Sequence, residues 1–444
     1  DYPDDPTFTT SVLSEVDQQL ARLQARPCVA IICGNSEGEQ QAAMSGAGRE
    51  RWSPPLFHDL LAERASASGF AYTPSSTHGG AFPHAANAGP TSYYGVGAYL
   101  RPLEDARRAE VRFASECLAF ANIPLDGGLP RGAASRVQQA IWKARSPRDL
   151  GAGWDFDDVR DYYVQRLYGI DPTALRVSDH ERYLELGRAA TGEVMAQVFA
   201  EWRRARSPTR GGLIWWLRDL WPGAGWGVID ARGVPKPCFY PLRRALAPIA
   251  LALSDEGGNG LAIHVVNDHP DVLAARVEIV LYRDGEIVVG RGAREVVVAG
   301  HAAIELAATD LFEGFIDLSF AYRFGPSVAN VIHVALVAGD NTLAETYGFP
   351  SGLPSTRERD VGLQALVAPC AAAGECEVTI SCARFAQSVV VDVPGFVADD
   401  GYFHLLPGRP HVVRLRRDPR STASARGVVI ALNAEAGAPF DIAS

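Results

Sequence analysis

Several familiar patterns are missing from this 444-residue sequence, and each absence removes a class of function. Its seven cysteines (Cys28, Cys33, Cys117, Cys238, Cys370, Cys376, Cys382) are odd in number and include no C-x-x-C pair. Neither a disulfide framework nor a cysteine zinc site is therefore indicated, and reduced thiols are expected. No stretch of 18 apolar residues occurs and no charged-then-apolar leader opens the chain, so no membrane span or signal peptide is read. An extended run of Lys and Arg is lacking too. With 42 basic against 52 acidic side chains, a net charge of -10, nucleic acid and anionic membrane are excluded as main partners. The ten histidines form no H-E-x-x-H, and there is no phosphate-binding P-loop; "DGGLP" and "GVGAY" read as ordinary loops, and a serine-hydrolase reading is set aside. The first residue is Asp1 rather than Met, which leads us to expect further sequence upstream; the free thiols favour the cytoplasm.

What is present is a globular composition, 47% hydrophobic and 21% charged, long enough for two or three domains. Up to about residue 250 the pattern mixes helices with short apolar strands. Val12, Val16, Leu20 and Leu23 recur at helical spacing, and Pro27 precedes a strand expected over "CVAIIC", 28 to 33. Further strands are expected at "GFAYT" (69 to 73), "TSYYGV" (91 to 96), "VRFAS" (111 to 115) and "GGLIWWL" (211 to 217). A long helix is expected to start at a capping box of Ser178 and Glu181 and to bury Met195, Val198, Phe199 and Trp202. Beyond Pro248 the sequence alternates in the manner of strands: "GLAIHVVND", then "ARVEIVLYRDGEIVVGRGAREVVVAG" with a hairpin turn at "RDGE", then "IDLSFAYRF" and "VIHVALVAG". This predicts one β-sandwich over 251–350, a junction near 347 to 359, and a second sandwich over 351–444.

Two apolar strands end in a carboxylate. "IICGNSEGEQQ" (31 to 41) delivers Glu37, and "VRFASECLAF" (111 to 120) delivers Glu116, 79 residues later. Catalytic groups of an α/β barrel sit at strand C-terminal ends, because that face carries the variable loops. A retaining glycosidase needs two carboxylates, a nucleophile kept ionised and an acid/base whose pKa is raised. A glutamate after a strand is also, more commonly, a solvated loop residue or a charge at a helix start. Glu39 is a competing candidate, ranked below Glu37. The third element is "GGLIWWLRDLWPGAGWGVIDARGVPKP" (211 to 237), which carries Trp215, Trp216, Trp221 and Trp226. Aromatic faces bind the apolar face of a sugar ring, whereas Trp216 and Trp226 read as core.

In this order, "RPCVAIICGNSEGEQ", "RFASE" and the Trp-rich segment resemble the catalytic region of β-mannosidase-like members of glycoside hydrolase family 2, over roughly residues 1 to 250. The family pattern is a strand ending G-N-N-E, a later strand ending S-E, and a last barrel strand reading Y-W-Q-L-N-D-x-W-P. The resemblance implies the C-terminal part of a (β/α)8 TIM barrel (1–250) followed by immunoglobulin-like sandwiches, and a retaining enzyme that removes terminal β-D-mannose. Its partner would be a β-mannoside or related oligosaccharide, with no metal or organic cofactor. Glu37 matches the acid/base and Glu116 the nucleophile. Trp215 matches the Trp that floors the innermost subsite, and Asn35 the first Asn of G-N-N-E; Tyr93, Tyr94 and Trp221 are further candidates for substrate contact. The chain departs from the pattern at Ser36, where the family shows Asn, and at Ser92, where relatives often carry His. Counted on the resemblance, "CVAIIC" would be the fourth barrel strand, so strands one to three and the N-terminal sandwiches are expected to be absent. The alternatives are the same mechanism on a galactoside, glucuronide or glucosaminide, and a non-catalytic carbohydrate-binding chain.

Overall fold

The computed structural model describes residues 2–125, 129, 136–369, 374–419 and 426–442; Cys370 and all of "DGGLP" except Leu129 lie outside the described residues. The chain divides into two compact units, residues 1–118 with 208–215, and residues 119–207 with 216–444.

In the first unit Asp5 caps helix α1 (Pro6–Leu23), its side chain accepting from the Thr7 amide, and Pro6 occupies the first turn, where no amide partner is needed. The expected stripe holds: Val12 and Val16 pack on Leu56, Phe57 and Leu61, and Leu20 is buried. The strand expected over 28 to 33 is shorter. Val29 N–H donates to Arg26 O, so a turn consumes residues 26 to 29 and only β1 (Ile31–Cys33) is extended. It runs parallel to β2 (Ala71–Thr73). A second parallel sheet has the order β3 (Pro90–Tyr93), β4 (Phe113–Cys117), β5 (Gly212–Ile214). Four of the five expected strands therefore exist in shorter form and the one expected at 111 to 115 forms at Phe113–Cys117, two residues later; a closed barrel is not formed among the described residues.

The second unit begins with helices. The long one spans His180–Arg203, and its cap is Asp179, whose side chain accepts from the Arg182 amide. This corrects the capping box at Ser178, which instead ends the preceding helix Pro172–Ser178. Met195, Val198, Phe199 and Trp202 are buried as expected.

Two sandwiches follow in the same unit. The first pairs sheet β10-β7-β6 with sheet β12-β11-β8-β9, where β6 is Ile249–Asp255, β7 Leu261–Asn267, β8 Leu273–Arg283, β9 Ile287–Val298, β10 Ala302–Ala307, β11 Val331–Ala338 and β12 Asn341–Gly348. Its core is built from Ile263, Val265, Val277, Ile279, Ile332 and Val334. Asp284 (φ 54°) and Gly285 (φ 71°) make the expected β8–β9 turn, in which Asp and Gly tolerate positive φ. The strand expected at 316 to 324 does not form. The Asp317 carboxylate accepts from the amides of Ala321, Tyr322 and Arg323, while Phe320 and Arg323 have φ near +55°, which folds the segment into a loop.

The second sandwich has sheets β13-β14-β18-β16 and β17-β15-β19-β20, with β13 Gln364–Pro369, β14 Glu375–Ser381, β15 Ala386–Asp392, β16 Phe396–Ala398, β17 Phe403–Leu405, β18 His411–Arg417, β19 Arg426–Ile430 and β20 Ala438–Asp441. Val280, Tyr282 and Val331 of the first sandwich pack on Phe385 and Leu406 of the second, with Tyr347 and Phe349 against them.

Candidate active site

Parallel strands place their C-terminal ends side by side, and here those ends carry polar and aromatic side chains. In register Ser92 faces Glu116 and Tyr93 faces Cys117 across β3–β4, while Cys117 faces Ile214 across β4–β5. Tyr94, Glu116 and Trp215 therefore stand at neighbouring strand ends, and the Trp215 amide continues the ladder by donating to Cys117 O (2.8 Å). Both ladders shift register within β4. Such bulges re-aim a side chain.

Glu116 is half-buried and accepts two hydrogen bonds, from Tyr94 OH to Oε2 (2.8 Å) and from Ser36 Oγ to Oε1 (3.3 Å). Burial pushes its carboxyl up, the Tyr94 bond opposes that, the negative charge of Glu37 raises it further, and the Ser36 bond opposes again. The two carboxylates are thus close enough to feel one another. The Tyr94 hydroxyl is itself driven far up, by burial first and then by the charge of Glu116, so it stays a donor.

Glu37 precedes helix α2 (Gly38–Met44) in the left-handed region, with φ 58°. A non-glycine residue there is uncommon outside turns and functional sites. Its carboxylate accepts from Gln40 Nε2 (3.4 Å) and Gln41 Nε2 (3.3 Å), and its amide donates to Ser76 O (2.5 Å). Asn35 braces this loop. Its Oδ1 accepts from the Gly38 amide and from Ser75 Oγ (both 2.9 Å), and its Nδ2 donates to Pro74 O (3.0 Å). Both polar atoms of the Asn35 side chain are engaged, so it serves as a loop brace, where a sugar contact was expected.

Residues 34 to 38 also read G-N-S-E-G, the spacing of a serine-hydrolase nucleophile elbow. Ser36 does not act as one here: its hydroxyl donates to Glu116, and no histidine bonds it among the described residues.

Tyr93 differs from expectation as well. It is buried, and its hydroxyl donates to Asp105 Oδ2 (2.9 Å) and accepts from the Val96 amide, which makes it a core residue. Trp215 is half-buried at the end of β5. Trp216, Trp221 and Trp226 belong to the second unit. There Trp216 and Trp226 meet edge-to-face at 5.7 Å and Trp226 meets Phe156 at 5.1 Å, in keeping with their core reading. Trp221 is 54% exposed, on a loop held by a buried pair of Lys236 and Asp219. Asp219 accepts from the Gly227 amide (2.7 Å), and Lys236 donates to Asn122 O (2.8 Å) and Gly225 O (3.1 Å).

Sequence reasoning missed the two histidine partners of Glu39. Glu39, on the first turn of α2, is buried and bonded by His58 Nε2 (2.7 Å) and His78 Nδ1 (3.1 Å). It faces those rings. The only signal in the sequence was its wrong-side spacing: on a helix started by Glu37, a residue two positions later points elsewhere.

No family model matches the chain. By sequence, 106 residues, 23% of the chain, are 34% identical to β-mannosidase B of Aspergillus terreus and cover 13% of that protein. A longer match of 281 residues, 57% of the chain, is 25% identical to β-mannosidase B of Aspergillus niger and covers 32% of it. By fold, the chain is similar to the crystal structure of β-D-mannosidase from Dictyoglomus thermophilum, with a TM-score of 0.82 at 18% identity, over 98% of this chain and 52% of that one. It is also similar to an exo-chitosanase of Amycolatopsis orientalis, with a TM-score of 0.73 at 12% identity, over 99% of this chain and 55% of that one. The chain thus spans about half the length of these solved structures, and less of the curated relatives.

Proposed function

We propose that this chain is a β-mannosidase-like protein of glycoside hydrolase family 2 and that it carries the catalytic pair of a retaining exo-glycosidase acting on terminal β-mannosides. In this reading Glu116 is the nucleophile and Glu37 the acid/base. The five parallel strands are the later strands of a (β/α)8 barrel, within a catalytic domain of residues 1–250 followed by sandwich domains at 251–350 and 351–444. One observation carries the reading: Glu116 ends a parallel strand, is held by Tyr94 OH at 2.8 Å, and lies within electrostatic reach of the Glu37 carboxylate. Two hydroxyl donors on one carboxylate, with the charge of a second carboxylate nearby, suit double displacement, which uses a carboxylate pair. Glu116 attacks the anomeric carbon while the protonated second carboxyl gives its proton to the leaving oxygen. That group then takes a proton from water, which releases the sugar from Glu116. Burial and the Glu37 charge leave the Glu116 carboxyl above its ordinary value, and the hydrogen bonds from Tyr94 and Ser36 limit that rise.

The β-mannosidase names of the sequence relatives favour mannose. Ser36, one residue before Glu37, reaches Glu116 and so contributes to the pocket from a position where the family shows Asn.

Incubation with a 2-deoxy-2-fluoro-β-D-mannosyl fluoride, read by intact mass and peptide mapping, tests the assignment. One adduct, on Glu116, is expected, and Glu116→Ala abolishes it. Glu37→Ala should still form the adduct, because fluoride leaves without a proton. It should slow hydrolysis of substrates with poor leaving groups by roughly 10²–10⁴-fold. A label elsewhere, or no label where a full-length relative reacts, overturns the reading.

A further inference from the structure

Glu39 is 2% exposed, and among the described residues its ion-pair partners are His58 and His78 rather than a Lys or Arg. A buried carboxylate without a countercharge is costly. Its oxygens are met by two imidazoles. Nε2 of His58 lies 2.7 Å from Oε1, and Nδ1 of His78 lies 3.2 Å from Oε1 and 3.1 Å from Oε2. The ligating atoms of all three side chains lie within 4.8 Å of one another. They come from three separate segments: the first turn of α2, the π-helical turn Leu56–Leu60, and the loop after β2. Single π-helical turns recur at functional sites because the wider turn re-aims a side chain. His58 and His78 side chains are 23% and 36% exposed, so the group is closed on the Glu39 side and open to solvent on the other.

We infer that Glu39, His58 and His78 form a binding site for a divalent transition-metal ion of the zinc class, with solvent completing the coordination. Two imidazoles and one carboxylate are a donor set suited to such ions. Bond lengths of about 2.0–2.2 Å to nitrogen and oxygen set neighbouring ligand atoms roughly 3–3.5 Å apart, which the His78 spacings of 3.1 and 3.2 Å match and from which the His58 spacing of 2.7 Å would have to lengthen. The ion supplies Glu39 with a fixed positive charge. It also ties α2, which carries Gln40 and Gln41 against Glu37, to two segments far away in sequence. Binding itself is independent of the hydrolase reading, so a failure of one leaves the other standing.

The test uses the full chain, stripped with a chelator and dialysed, then titrated with zinc chloride by calorimetry and with cobalt(II) chloride by visible absorption. One ion per chain is expected, with a cobalt d–d band of four- or five-coordinate type and no thiolate charge-transfer band. Zinc should raise the melting temperature. His78→Asn, at the most exposed ligand, and Glu39→Gln should lose stoichiometric binding and the zinc-dependent rise in melting temperature. Cys33→Ser, a control at an exposed thiol, should retain both. The inference is overturned if the stripped, folded chain binds no ion at 1:1, or if His78→Asn melts like the parent and still binds as tightly.

Discussion

Glu116 lies under opposed influences: burial and the charge of Glu37 push its carboxyl up, and two hydrogen bonds pull it down. Removing one donor reveals the balance. Tyr94→Phe deletes a bond made to the ionised carboxylate, so the Glu116 pKa rises and less nucleophile is ionised at a given pH. On the proposed mechanism, kcat/KM should then fall more at acid than at alkaline pH, and the acid limb of the profile should move to higher pH. A uniform loss across pH would show that Tyr94 only shapes the pocket. At this scale the sequence was informative about the two glutamates, because an apolar run that breaks into polar residues marks a strand end. It was poor at assigning the neighbours. Asn35 and Tyr93 looked like sugar contacts, but their hydrogen-bonding capacity is used inside the fold.

Elements depend on their ends and on what they bury. Asp179 satisfies an amide at the start of the 24-residue helix His180–Arg203. Asp179→Ala should cost about 1 kcal/mol, read as a lower midpoint in urea with unchanged slope. Within the same helix Glu193 meets His404 of β17 at 3.7 Å, and both are largely buried. Burial lifts the Glu193 carboxyl to about 7, against the pull of Arg244, and depresses His404 to about 3. A carboxyl whose folded pKa exceeds its unfolded one holds its proton more tightly when folded. Its stabilising contribution is full below the ordinary value of 4.5 and is lost as pH rises to about 7. Glu193→Gln should therefore flatten the fall in melting temperature between pH 5 and 7.5, by about the loss of one such group. An unchanged slope would place the pH dependence elsewhere. Neither contact partner was readable from local pattern, since His404 lies in another domain-sized stretch of sequence.

At the scale of the whole molecule, the sandwiches and the parallel strands behave differently. The sandwich strands are long and apolar, and β7 and β11 are buried at nearly every position, which made β7, β8, β9 and β11 legible in sequence. The parallel strands are only three to five residues long, and Ile31, Phe113 and Leu213 on them are 54%, 38% and 59% exposed. Parallel sheets are ordinarily covered on both faces. The 444-residue chain should therefore self-associate with rising concentration, seen by light scattering, and Leu213→Thr with Ile31→Thr should reduce it. A strictly monomeric parent chain at high concentration would refute this.

Periodicity in the sequence by itself determined the mixed helix-and-strand first part and the β-rich remainder, because burial writes itself into local spacing, and the breaks in two apolar runs marked Glu37, four residues past β1, and Glu116, near the end of β4. The segment at 316 to 324 shows the limit of that rule: its alternation suggested a strand, but one carboxylate, Asp317, gathers three amides and folds it into a loop. Only the tertiary structure decided that Ser36 and Tyr94 would hold Glu116, and that Glu39 would be buried between histidines 19 and 39 residues away. Local pattern encodes which face of an element is covered. Which distant segments do the covering is settled when the chain closes on itself and each buried polar atom finds its partner.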